Sequence, residues 1–112
     1  MIKDENGNVI ATKIEYATTF WKRYKGLMHR KKESFPIENA MVFNECGSIH
    51  MFFMHFPLDV IYLDKQFNVV KIVRNIKPWK VDFGHPDAYY TIELNAGVIK
   101  EDYNPQRIYI EE

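Results

Sequence analysis

Between Cys46 and Asp64 the chain places thiol, imidazole, thioether and carboxylate groups in an otherwise apolar run: Cys46-Gly47-Ser48-Ile49-His50-Met51-Phe52-Phe53-Met54-His55-Phe56-Pro57-Leu58-Asp59-Val60-Ile61-Tyr62-Leu63-Asp64. Burying such groups without partners is costly, so they need either a satisfied core or a site. Cys46, His50 and Met54 form a soft donor set of the kind that suits Cu(I). Residues four apart on a strand lie about 13 Å apart at about 3.3 Å per residue. The three therefore meet at one ion only across a bend at Gly47 or with help from another strand, and no metal or cofactor is assigned. Cys46 with His50 or His55 also offers the residue types of a nucleophile and its base, with Asp59 or Glu93 to orient the imidazole. The spacing is not diagnostic of that chemistry, and a single cysteine beside a buried strand is more often inert than reactive.

Asp59 and Glu93 stand within hydrophobic strand patterns, where each carboxylate requires something to satisfy it. In a structural role, Asp59 accepts backbone amides at the turn after Pro57-Leu58, and Glu93 pairs with His50, Arg30 or a loop amide. In a functional role, the two act as general acid and base, for instance on a saccharide. Trp79 lies between Pro78 and Lys80, with Tyr89 and Tyr90 nearby in sequence and Trp21 and Tyr24 on a separate helix. Its indole either stacks on a sugar or another flat ligand or folds back as a lid with its N–H bonded to backbone. The candidate ligand site therefore takes His50, Asp59 and Glu93 as polar contacts and Trp79 as a stacking wall.

The elements that must position these residues are mostly strands. Asn6-Gly7 is a turn signal leading into a strand over 9–16, with 1–4 available to pair with it. Phe20, Trp21, Tyr24 and Leu27 recur at helical spacing behind a capping Thr18 or Thr19, and Gly26 suits the C-terminal end, so one short helix is expected over 19–25. Its cations, continued by Arg30, Lys31 and Lys32, read as a solvated face. Strands are expected over 40–45, 49–55, 59–64, 69–76, 89–94 and 107–111, with a hairpin loop at Lys65-Gln66-Phe67-Asn68. Apolar residues on both faces make 49–55 read as a central, covered strand. From Lys77 to Pro86 the periodicity fails, which predicts a long irregular loop.

Five ordered blocks carry a family resemblance: Gly26-Leu27-Met28-His29-Arg30, Met41-Val42-Phe43, His50 through Val60, Val69-Val70-Lys71-Ile72 and Glu93-Leu94-Asn95-Ala96-Gly97. Together they resemble the DUF192 family of small proteins over roughly residues 18–97. The resemblance implies a β-sandwich or jelly-roll-like domain with one short helix, in keeping with the strand pattern, and implies no reaction or catalytic residues. Many members of that family resemble secreted or periplasmic proteins with a leader.

At 112 residues the chain fits a single domain, taken as 1–112, and its 15 basic and 15 acidic residues leave no global field to steer it toward nucleic acid or an anionic membrane. Cys46 is the only cysteine, which excludes an internal disulfide. The start has no cationic segment before an apolar run, so the chain as given reads as cytoplasmic, or as periplasmic or secreted if a leader has been removed. The expectation is an all-β, antiparallel sandwich or jelly-roll-like domain with one short α-helix near the N-terminus. Its leading function is that of a small-ligand-binding module for a saccharide or polar metabolite, with no nucleic-acid or membrane partner and no defined oligomeric state. The alternatives are a small hydrolase-like enzyme using the carboxylates and His50, and a structural or protein-interaction domain.

Overall fold

A computed structural model describes residues 1–111. Strand β1 (Ile2–Asp4) turns back through Asn6-Gly7 into β2 (Val9–Ala11). Gly7 takes the positive φ the turn requires, +81°, and the Asp4 Oδ1 accepts the backbone N–H groups of Asn6 (2.8 Å) and Asn8 (2.9 Å). The C-terminal strand β10 (Ile108–Ile110) closes a three-stranded sheet in the order β10-β1-β2.

After β3 (Lys13–Ala17) the chain enters α1 (Phe20–Lys25), where the Thr19 Oγ1 accepts the Lys22 N–H at 3.1 Å and so caps the first turn. Gly26 ends the helix at φ +47°, and the chain returns as β4 (Asn39–Asn44). β3 and β4 pair in parallel, Lys13 opposite Asn39 through Ala17 opposite Phe43. This corrects the expectation of an antiparallel structure throughout. Parallel neighbours need a crossover, and the segment bearing α1 supplies it.

β4 lies in a five-stranded sheet ordered β3-β4-β9-β6-β7, with β6 (Leu58–Leu63), β7 (Val69–Ile76) and β9 (Tyr90–Asn95). The remaining pairings in this sheet are antiparallel, and Lys65 to Asn68 form the expected hairpin loop, held by the Asp64 carboxylate on the Gln66 and Asn68 amides. The mainly β class with one short helix near the N-terminus is thus the observed one.

The expected strand over 49–55 is a second correction. β5 spans only Ile49–His50 and pairs with β8 (Val81–Asp82), a strand inside the stretch read as irregular. Beyond His50 the backbone turns: Met54 N–H bonds to Met51 O, Met51 N–H to Lys80 O, and Phe53 takes φ +60°. Met51, Met54 and Phe56 are buried while Phe52, Phe53 and His55 are exposed, which is not strand alternation.

The large sheet is apolar on both faces. Met41, Phe43, Leu58, Val60 and Tyr62 face one way, packed by Leu27, Phe35, Met51 and Met54 from the segments flanking α1 and β5. Ala40, Val42, Ile61, Leu63, Ile92 and Leu94 face the other way, covered by the small sheet through Ile2, Ile10 and Ile108. Each side burying several large aliphatic residues contributes on the order of 10 kcal/mol of gross hydrophobic stabilisation.

Candidate functional site

β9 provides the floor. Its alternation sends Thr91, Glu93 and Asn95 to the α1 side of the sheet, where the register sets Glu93 beside Met41 and Val60. All three polar side chains are buried. The outer two are tied to loops, since the Thr91 hydroxyl donates to Cys46 O at 2.6 Å and the Asn95 Nδ2 to Phe35 O at 2.7 Å. Glu93, between them, has no hydrogen-bond partner among the described residues and borders a cavity of about 50 Å³. Burial with nothing donating to the carboxylate pushes its pKa up to about 8, so the side chain is a neutral acid at pH 7.

Gly26, at the end of α1, lines the cavity close to the acid. A Cβ there would stand 3.2 Å from the Phe43 ring and 3.9 Å from the Glu93 Oε1. Arg23, Lys25 and Met28 line it from α1 and the turn that follows, and Cys46, His50 and Met54 line it from the other side. The Arg23 Nη1 donates to Thr18 O (2.8 Å) and Asn44 Oδ1 (3.3 Å), which holds the guanidinium along the helix. The His50 Nδ1 accepts the Phe52 N–H at 3.2 Å, so the ring hydrogen sits on Nε2.

Cys46, His50 and Met54 thus do come round one space, because β5 is two residues long and bends on both sides remove the strand spacing that would separate them. Their states suit neither a metal nor a nucleophile. The thiol donates to Ser48 O at 3.2 Å, burial pushes its pKa up, and His50 presents N–H on the nitrogen not already bonded. Among the described residues no three of His, Cys, Asp and Glu are grouped to hold an ion.

Of the four residues singled out from sequence, the structure brings His50 and Glu93 to one cavity, whereas Trp79 is outside its lining and connects to His50 only through the Phe52 ring. The His50 ring lies 5.0 Å from Phe52 and 5.9 Å from Tyr24, and Phe52 lies 6.1 Å from Trp79. Trp79 also meets Phe53 edge-on at 4.9 Å. Trp79 and Phe53 both hold positive φ, +71° and +60°, as does His29 at +66° against Phe53. Such conformations cost about 1–3 kcal/mol each for bulky residues and collect where a surface is held in a set shape. Here the Trp79 N–H to Met51 O bond (2.7 Å) and the His29 N–H to Phe53 O bond (2.9 Å) hold them.

Asp59 is elsewhere. Val60, not Asp59, is the neighbour of Glu93, so the two carboxylates point to opposite faces of the sheet. The buried Asp59 accepts the N–H groups of Asn75 (2.8 Å), Gly97 (2.9 Å) and Ile99 (2.9 Å), so both of its oxygens are satisfied by backbone. Arg30, a candidate partner for Glu93, instead forms a two-pronged pair with Glu15. Sequence reasoning missed Gly26, Arg23 and Phe43 as parts of the site. The available signal was the unbroken polar parity of Thr91, Glu93 and Asn95.

The DUF192 family profile, described as an uncharacterized ACR, matches residues 1–103. A UPF0127 protein of Pyrococcus horikoshii is 35% identical over 112 residues, covering 95% of this chain and 92% of that one. A UPF0127 protein of Thermococcus sibiricus is 37% identical over 105 residues, or 88% of this chain, which spans 65% of that relative's length. A crystal structure of a Novosphingobium aromaticivorans protein of unknown function superposes with a TM-score of 0.81 at 21% identity, over 97% of this chain and 81% of that one. A Sinorhizobium meliloti protein described as a candidate transcription regulator gives 0.75 at 24% identity, over 86% of this chain and 79% of the other. At such identities the likeness is one of fold.

Proposed function

The chain belongs to the DUF192 family, and from its cavity we propose that it is a binding module for a small polar metabolite, one group of which enters the cavity that Gly26 and Glu93 help to line. The observation that carries this reading is the buried, unpartnered acid of Glu93 at the end of an open space. Native proteins pair such groups or use them, and a perturbed carboxyl in a cleft is a reason to look for a ligand. The cavity of about 50 Å³ suits several heavy atoms rather than a whole hexose. A sugar or other ring therefore meets Tyr24, Phe52 and Trp79 outside while a substituent enters. Asp59 takes no part.

The test is an amide NMR titration of labelled protein with sugars, organic acids and nucleotides. Shifts concentrated at Gly26, Cys46 and His50 support the assignment; a full panel that leaves these residues unmoved refutes it. A second reading, catalysis, is favoured by the same acid, because a carboxyl neutral at pH 7 serves as a general acid. It lacks the second carboxylate of ordinary glycoside hydrolysis, since Asp59 lies on the other face. In that case Glu93→Gln abolishes turnover of a bound ligand without weakening its binding.

A further inference from the structure

Resting on the reading of this cavity as the binding site, we propose that the group it takes is a carboxylate, held by the Glu93 acid O–H, the His50 Nε2–H and the Arg23 guanidinium, with its short stem against Phe43 and Met28. The lining supplies donors and positive charge but no carboxylate other than Glu93. The Arg23 Nη1 is occupied, whereas its Nη2 has only a distant neighbour, Glu45 at 4.0 Å. Lys25 adds a second cation at the rim. The helix-end carbonyls that would repel an anion are already taken, Lys22 O by the Gly26 N–H and Lys25 O by the Met28 N–H. An un-ionised acid facing a carboxylate forms a short, charge-assisted O–H···O bond, whereas an ionised one repels it. A neutral amide or hydroxyl gains neither that bond nor the attraction of Arg23 and Lys25.

The titratable and charged groups that line the cavity with Glu93 are Arg23, Tyr24 and Lys25 on α1, Cys46 on the loop before β5 and His50 on β5, with Tyr62 on β6 close by. Burial pushes the Cys46 thiol and the Tyr62 hydroxyl up, which leaves Glu93 as the acid in this set that changes charge near pH 8.

Two sources share this chemistry, a short aliphatic acid and a sugar acid, so the probes are propionate and glucuronate, with propionamide and glucose as their neutral counterparts. Amide NMR titrations are run at pH 7 and pH 9 on the intact chain, its Glu93→Gln variant and its Arg23→Gln variant. At least one carboxylate is expected to shift Gly26 and His50, and to bind about tenfold more weakly at pH 9 than at pH 7, as one ionisation near pH 8 dictates. Glu93→Gln keeps binding but loses the pH dependence, and Arg23→Gln weakens it several-fold at both pH values. Propionate alone identifies an aliphatic acid and glucuronate alone a sugar acid. If the neutral counterparts occupy the cavity as well as the acids do, the carboxylate inference is overturned while the binding site stands. If none of the four probes moves a cavity residue, the carboxylate inference fails, and the wider panel of sugars, organic acids and nucleotides decides the binding site.

Discussion

The buried acid makes folding stability depend on pH in a way that one substitution isolates. An accessible glutamate titrates near 4.5 and Glu93 near 8. Below pH 4.5 the group is protonated in both folded and unfolded chains and costs nothing. As pH rises, the unfolded chain ionises first, so folding must take up a proton and stability falls by about 1.4 kcal/mol per pH unit until Glu93 itself ionises. Across the gap of about 3.5 pH units between those two values the loss is about 5 kcal/mol, a large share of the 5–15 kcal/mol typical of a domain. Glu93→Gln is neutral at every pH. Its own burial cost is constant, and the other titrating groups cancel in the comparison. Urea unfolding followed by far-ultraviolet circular dichroism, at half-unit steps from pH 4.5 to 9, should show the variant gaining on the parent by about 1.4 kcal/mol per unit and levelling off above pH 8. A stability difference that stays flat with pH would mean that a partner or water keeps Glu93 ionised, and the reasoning would fail.

Asp59→Ala strands three amide donors that have no other acceptor, which should cost about 3 kcal/mol or more and lower the melting temperature by roughly 10 °C, with ligand shifts at Gly26 unchanged; calorimetry and the NMR titration check both. Gly84→Ala puts a Cβ 1.6 Å from Gly47 O at a φ of +68°, so about 3 kcal/mol or more should be lost in urea unfolding, and near-parental stability would show that the 47–84 contact is looser than described. Cys46 should react with iodoacetamide more slowly than glutathione at pH 7, since burial pushes its thiol up; fast labelling at neutral pH would restore the nucleophile reading.

What the sequence disclosed followed from local pattern. The helix was marked by Thr19 and Gly26, the β6–β7 loop by its polar residues, and Glu93 by an ionisable group inside a strand with β alternation. His50 and Trp79 were singled out by residue type alone. The rest depended on contacts distant in the chain. The partners of Asp59 are backbone amides at 75, 97 and 99, which no pattern around Pro57 reveals. The run from Met51 to Phe56 is apolar enough for a strand, yet its backbone is committed to turns by bonds to Lys80 and within the run itself. The parallel β3–β4 pair has a local sign in the helix between two strands, a crossover pattern that the sequence reading did not use. The cavity is lined by Gly26 and Phe43, two residues whose separate roles in a helix cap and a strand gave no hint of contact.

The most direct measurement is the titration of the Glu93 carboxyl carbon by NMR in protein labelled with ¹³C-glutamate, assigned by comparison with Glu93→Gln. A midpoint near 8 in the free protein, moving upward when propionate or glucuronate is added, is the expected result. A midpoint in the ordinary range near 4.5, unchanged by either acid, contradicts the account.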